Sequence, residues 1–281
     1  MFSSVASRRF INRLFMVLAT CAFLIALVPL LSILYQTLVK GYGAFDLDFF
    51  TQITPPIGGG GGGIVNAIEG SLVMVAIASL IGIPVGLFAG AYLFEYPGTV
   101  ANNLRLVAEV LTGVPSIVTG IVIYVVIVAT THRFSAVAGG IALSFMMIPI
   151  VSISTHESLK LVPSSIKEGS LALGVSRPKT LVYILISTAK SGIITGIALS
   201  VARIMGETAP LLFTALGNQF MMHNIFDPAE SMTVLIYEYG TSPYPNAHTF
   251  AWGAALVLLL LVLGLNVVVR ISSRLKPTTA I

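Results

Sequence analysis

Six long apolar stretches, separated by short polar segments, dominate the chain: about 14–38, 64–94, 106–130, 136–155, 191–216 and 250–269. A hydrocarbon core of about 30 Å needs roughly 20 apolar residues in helical form, so each stretch is long enough to cross a bilayer. The last of them contains no charged residue. The pattern predicts an all-α polytopic membrane protein with six transmembrane helices. Composition strengthens this reading. Of the 281 residues, 56% are hydrophobic and only 9% charged, and the mean hydropathy is +0.96. Soluble domains carry about 25% charged residues, so lipid rather than water must solvate most of this surface. Intrinsic disorder, nucleic-acid binding and a soluble α/β enzyme are excluded as readings. With one cysteine, Cys21, no intrachain disulfide and no multi-cysteine metal site can form.

Charge then sets the sidedness. With the N-terminus inside, the cytoplasmic segments hold Arg8, Arg9, Arg13, Arg105, Lys160, Lys167, Arg177, Lys179, Lys190, Arg270, Arg274 and Lys276, which is 12 of the 15 basic residues. The outer loops hold Lys40 and Arg133, and Arg203 lies within a span. The long outer loop 217–247 has no Lys or Arg but carries Asp227, Glu230 and Glu238. This asymmetry predicts a multi-pass membrane protein with both termini cytoplasmic. The basic N-terminus and the apolar run behind it resemble a signal peptide, but the run is too long for one and reads as a first membrane helix. The organisation is then 1–63, a first helix and an outer glycine-rich loop; 64–272, a membrane domain; and 273–281, a cytoplasmic tail.

Residues 58–63 are six consecutive glycines after Pro55 and Pro56. A phosphate-cradling P-loop needs Gly-Lys-Ser/Thr at its end, whereas Ile64 and Val65 follow here, so the run reads as a flexible outer linker and no ATP site is visible. Gly82, Gly86 and Gly90 recur every four residues, a face that lets another helix approach closely. Pro84, Pro115 and Pro149 lie inside apolar stretches, where membrane helices tolerate them.

The longest inside segment, 156–190, predicts a short helix, a turn and a second helix. Ser165 and Glu168 have the spacing of a capping box. Gly174 can adopt the left-handed conformation that ends the helix, and Ser176 can cap the next one, with Pro178 in its first turn. Two readings of the short helix stay open: a docking surface for a soluble partner, or a helix lying on the membrane.

Arg203 and Glu207 are the most informative pair. A charge at the bilayer centre costs about 3 kcal/mol or more, so two in one span need a reason. Spaced i to i+4 on a helix, they can pair and should face a bundle interior or a water-filled cavity. The pair could be structural, fixing the bundle, or part of an ion or substrate site. Arginine suits a phosphate-like anion because its planar fork donates parallel hydrogen bonds to oxygen pairs. A neutral Arg–Glu pair has no net attraction for an anion, so such a site needs a second cation.

Motifs in these segments are similar to those of a known family. Glu168-Gly169-Ser170, three further residues and Gly174 stand where importer permeases of the ATP-binding-cassette superfamily carry Glu-Ala-Ala and, three residues on, Gly. Val175-Ser176-Arg177 and 192–196 resemble the same family. Ala202-Arg203, then Gly206-Glu207-Thr208-Ala209-Pro210-Leu211, resembles the hallmark of its phosphate-specific permeases, as do 63–68, 92–96 and 113–117. Gly169 and Ser170 replace two alanines, and Ser187 stands where a proline is usual. The resemblance implies the type I importer permease fold, with a cytoplasmic coupling helix between spans four and five, and a place in the bacterial inner (plasma) membrane. It implies that Ser165, Glu168, Gly169, Ser170, Leu173 and Gly174 form the loop that docks on a cytosolic ATPase. It implies a homologous permease subunit as partner, two copies of the ATPase, and an extracytoplasmic binding protein delivering inorganic phosphate. ATP is then bound by the ATPase and this chain has no cofactor, no metal and no catalytic residue. Arg203 is expected to contact phosphate and Glu207 to orient it.

Elsewhere, Arg105 and Glu109 read as a local helix pair. Glu69 reads as solvated or cavity-facing. His132, His156, His223 and His248 form no metal-ligand spacing. Tyr237, Tyr239, Tyr244, Phe250 and Trp252 suit an interfacial aromatic belt. A permease for another oxyanion, a self-contained channel or transporter, and an intramembrane enzyme using Glu207 are the competing functions. The docking-loop motif argues against the channel, and the lack of a histidine in span five against the enzyme.

Overall fold

The computed structural model describes residues 5–274. From residue 275 on, the expected tail, with Lys276 of the basic set, lies outside the described residues. The chain folds as α1 (Val5–Tyr42), a short α2 (Leu47–Thr51), α3 (Val65–Glu95) and α4 (Thr99–Gly113). Next come α5 (Ser116–Thr131), which includes a π-helical turn at Tyr124–Val128, and α6 (Ala136–Lys160). The short α7 (Ser164–Ala172) leads into α8 (Arg177–Met205). The chain closes with α9 (Ala209–Thr214), α10 (Met232–Gly240) and α11 (Pro245–Arg274). Among the described residues, α1, α3, α6, α8 and α11 are each long and apolar enough to cross a membrane.

The third and fifth predicted spans are not straight helices. In the third, α4 and α5 meet at 102°. Val114 adopts φ −68° and ψ 130°, the extended geometry forced on a residue that precedes proline. Pro115 therefore starts α5 instead of lying inside a helix. In the fifth, α8 stops at Met205 and α9 starts at Ala209. Pro210 has no N–H for the Gly206 carbonyl four residues back and its ring crowds that group, so the helix cannot continue.

Packing centres on α3 against α6. Gly82, Gly86 and Gly90 all face α6 and are buried. A Cβ on Gly86 would lie 2.6 Å from Cβ of Val151, and one on Gly90 only 2.4 Å from the Ser152 carbonyl oxygen. The glycine stripe is thus the contact surface the spacing implied. Across α6, Gly192 and Gly196 of α8 play the same part against Ser158 and Ser154. Met74, Leu143, Met147, Val151, Ile204 and Leu211 fill the core between these helices. By contrast, α1 is peripheral. It touches α11, where Gly41 approaches Trp252 and Leu256 and Lys40 Nζ lies 4.9 Å from the Trp252 ring centroid. Its flank exposes Phe15, Phe23, Ile25 and Val28, as a lipid-facing helix does.

The glycine run is tied down at both ends rather than being a free linker. Gly63 N–H donates to Ile53 O at 2.9 Å, and a Cβ there would sit 2.4 Å from Asp48 O. Asn246 donates from Nδ2 to the Gly59 carbonyl, and the Tyr239 hydroxyl to that of Pro55. Gly58, Gly61 and Gly62 have positive φ, which is the reason for glycine at those positions.

Candidate functional site

The break between α8 and α9 builds the site. Gly206 N–H and Glu207 N–H bond back to Arg203 O and Ile204 O at 3.1 and 3.2 Å, a tightening typical of a helix end. Glu207 therefore lies beyond the helix, not one turn up the same helix as the spacing suggested. Its Oε1 is 3.9 Å from Arg203 Nε, too far for a hydrogen bond. Arg203 is 53% exposed on its side chain and Glu207 17%. More than half of the Arg203 side chain is thus uncovered by this chain.

Neighbouring elements hold the break in place. Thr233 of α10, buried, donates its hydroxyl to the Glu207 carbonyl at 2.9 Å, satisfying a group that the broken helix leaves open. Ser71 of α3 accepts from Met232 N–H at 2.8 Å, which pins the start of α10 to α3. On the other side, α9 packs against α5, where a Cβ on Gly120 would lie 2.7 Å from Cα of Pro210. Two broken spans therefore lean on each other beside the charged pair.

At the other end of α8, α7 is held as a rigid bracket. The capping box does not form: the helix starts at Ser164, behind Pro163, with no side-chain cap. Instead the buried Ser170 and Thr180 hydroxyls hydrogen bond at 2.8 Å, joining α7 to α8. Gly174 has the left-handed φ of 81° anticipated from the sequence, and Pro178 sits in the first turn of α8. Ser165, Glu168, Gly169 and Leu173 are exposed, Leu173 by 86%. Lys167 Nζ reaches Glu95 Oε2 at the end of α3, 2.8 Å away.

A family model described as "Binding-protein-dependent transport system inner membrane component" matches residues 82–276. A protein of Yersinia pestis named "Phosphate transport system permease protein PstA" is 41% identical over 268 residues, covering 95% of this chain and 91% of that one. One of the same name from Haemophilus influenzae is 41% identical over 262 residues, covering 92% and 93%. The chain belongs to the PstA family of binding-protein-dependent transport permeases. Solved structures agree on the fold. A MetNI methionine ABC transporter in an inward-facing conformation gives a TM-score of 0.63 at 17% identity, over 75% of this chain and 94% of that one. A bacterial alginate ABC transporter gives 0.67 at 12% identity, over 97% and 99%. The fold is the all-helical one of type I ABC importer permeases.

In this PstA-family chain, several buried polar groups escape a reading based on single motifs. Asn66 is buried and takes three hydrogen bonds at once. Its Oδ1 accepts from Thr54 N and Oγ1 at 3.0 and 2.7 Å, and its Nδ2 donates to Asn218 O at 2.8 Å. Glu230 is 3% exposed, and its Oε1 accepts from Ser231 N–H at 2.9 Å. Burial pushes its carboxyl up to about 7, against hydrogen bonds from Ser231 and Asn218 that pull it down. The sequence offered a signal only for the helix break: Gly206 four residues before Pro210. Arg105 and Glu109 do pair, at 2.9 Å, and Arg105 also reaches Glu157 of α6 at 3.7 Å. Glu69 has one carboxylate oxygen buried without a partner. Among the described residues no group of His, Cys, Asp or Glu could hold a metal ion.

Proposed function

We propose that this chain is the non-catalytic, membrane-embedded subunit of an ATP-driven inorganic phosphate importer, forming half of the translocation pathway over residues 64–272. Its kinship with proteins named as phosphate transport permeases supplies the substrate. The observation that carries the site assignment is the Arg203 side chain, more than half exposed beside a broken helix. A charge there must meet another protein surface or a water-filled path rather than lipid. Arg203 contacts the phosphate oxygens, and Glu207, held 3.9 Å away, orients the guanidinium and limits how tightly the anion binds.

The α7 end of the bundle is cytoplasmic, as are both termini. Exposed Leu173 and the small residues Ser165, Gly169 and Gly174, with Glu168, form the face that docks on the ATPase. Ser170 anchors that face to α8. The partners are the homologous permease subunit PstC, a dimer of the ATP-binding subunit PstB, and the extracytoplasmic phosphate-binding protein PstS. ATP sits on PstB, so this chain needs no cofactor.

Labelled-phosphate uptake by cells that depend on this subunit tests the reading. Arg203→Gln and the double change Arg203→Gln with Glu207→Gln are compared with wild type after each is shown to assemble with its ATPase. Both should lose uptake by about tenfold or more, the rate effect of some 1.4 kcal/mol. Normal uptake by an assembled double variant would make the pair structural.

A further inference from the structure

Where α1 and α11 meet beside α10, a cavity of about 340 Å³ is lined by Lys40 from α1, Ile236 from α10, and His248, Ala251 and Trp252 from α11. It lies at the end of the bundle opposite α7. The start of α11 packs with the start of α3 through Phe49, Ile64 and Ala247, whereas the end of α3 reaches α7 through Glu95. Tyr237 and Tyr244, on the segments flanking the cavity, are exposed. Amphipathic rings at the ends of apolar helices mark the membrane–water interface.

The polar groups of this cavity keep unused hydrogen-bonding capacity. Lys40 Nζ donates to Gln36 Oε1 at 3.2 Å and lies 4.9 Å from the Trp252 ring centroid. An ammonium has three donors, and among the described residues no carboxylate pairs with this one. The Trp252 Nε1–H likewise has no acceptor among them. His248 Nε2 is 2.7 Å from Ser242 O. A carbonyl oxygen only accepts, so Nε2 carries the proton and Nδ1 is left as an acceptor, suited to a headgroup hydroxyl.

The cavity is therefore positive, and its charge is set locally. No acidic residue lines it. Glu238 is two residues from Ile236 and so lies on the opposite face of α10. Along the helices, Val5 of α1 is about 50 Å from Lys40 and Arg274 of α11 about 33 Å from Trp252. The seven residues after Arg274 can extend at most about 25 Å, so neither end of the chain reaches it.

A polar ladder then leads from Lys40 into the membrane. Gln36 Nε2 donates to Ser32 Oγ at 3.3 Å, and Gln36 and Ser32 lie about 6 and 12 Å deeper than Lys40. The interfacial layer of a bilayer is about 5–8 Å thick on each side. Lys40 is thus level with lipid phosphates and Gln36, with a second amide N–H to give, level with the ester carbonyls. Free phosphate would use only the first of these; a phospholipid uses both.

We propose that this cavity binds an anionic phospholipid, its phosphate on the Lys40 ammonium and the Trp252 indole N–H.

Trp252 is the one tryptophan of the chain, so its fluorescence reports this site directly. The full chain is reconstituted in phosphatidylcholine vesicles containing either phosphatidylglycerol or phosphatidylcholine with dibrominated acyl chains, at equal mole fraction. Quenching of Trp252 should show about a fivefold preference for brominated phosphatidylglycerol, the worth of one lysine at an anionic surface. Lys40→Gln should bring the preference to about one, and Lys40→Arg should retain most of it. Arg133→Gln, which removes a cation elsewhere, should leave it unchanged. Equal quenching by the two lipids in wild type, or a preference that survives Lys40→Gln, overturns the proposal. So does an equal loss in Arg133→Gln, which would make the attraction a general field. Relief of quenching by millimolar inorganic phosphate, but not by chloride at the same ionic strength, would make this a free-anion site and overturns it as well.

Discussion

Lys167 of α7 and Glu95 of α3, 72 residues apart, form the ion pair that ties α7 to α3. Nζ to Oε2 is 2.8 Å. The Glu95 side chain is only 5% exposed and Lys167 30%, and the Lys167 ammonium also lies 5.2 Å from the Phe94 ring centroid. With Ser170 joined to Thr180 of α8, α7 is attached at two points to two different membrane helices.

Lys167→Ala leaves a buried carboxylate unpaired, which costs about 3–5 kcal/mol for a fully buried pair and less here, where the lysine is partly solvated. The expected result is lower thermal stability of the purified transporter and loss of ATP hydrolysis coupled to transport. Exchanging the charges, Glu95→Lys with Lys167→Glu, should recover part of both, whereas each single reversal should be worse than Lys167→Ala. A double reversal no better than the singles would show that the pair does not link the two helices. Thermal unfolding and the ratio of ATP hydrolysed to phosphate moved are the measurements.

Glycines in this chain divide into those that a neighbour forbids to change and those in open space. A Cβ on Gly90 would lie 2.4 Å from the Ser152 carbonyl oxygen and 2.6 Å from Thr155 Cβ, so α3 and α6 must separate. Gly90→Ala should cost about 1–3 kcal/mol, as overpacking does. Gly264, inside α11, has nothing within 4 Å of such a Cβ. Gly264→Ala should be neutral or stabilising by about 0.5–1 kcal/mol from helix propensity alone. Thermal stability of the two variants, measured side by side, checks the contrast.

Glu230 makes stability depend on pH. Its carboxyl is pushed from an ordinary value of 4.5 up to about 7, so between those values the folded chain binds more protons than the unfolded one. Its contribution is fully present below about pH 4.5 and is lost as pH rises through about 7. The difference is up to about 3 kcal/mol for a shift of this size. Glu230→Gln should flatten the fall in stability between pH 4.5 and 7, which melting curves across that range would reveal. An unchanged slope would assign the pH dependence to other groups.

The order of the long apolar elements, the glycine contact face, the turn at Gly174 and the nearness of Arg203 to Glu207 were legible in the chain. All follow from quantities that neighbours in sequence carry: apolar length, residue size at a helical period, backbone freedom and the cost of charge in lipid. The bends at Pro115 and Pro210 were legible in principle, because a missing N–H acts locally. Whether a membrane helix bends through a proline or breaks at it depends on what packs alongside, and Pro84 and Pro149 remain inside unbroken helices.

Other features belong to the tertiary structure alone. Lys167 finds Glu95, Thr233 finds the Glu207 carbonyl, and Asn66 joins Thr54 to Asn218. Each joins residues from separate elements, and the sequence holds no periodicity between such partners. In a chain this poor in charge, long apolar helices are determined one by one by their own composition. Their polar groups at membrane depth can be satisfied only across helices, so the pairings are decided when the helices pack.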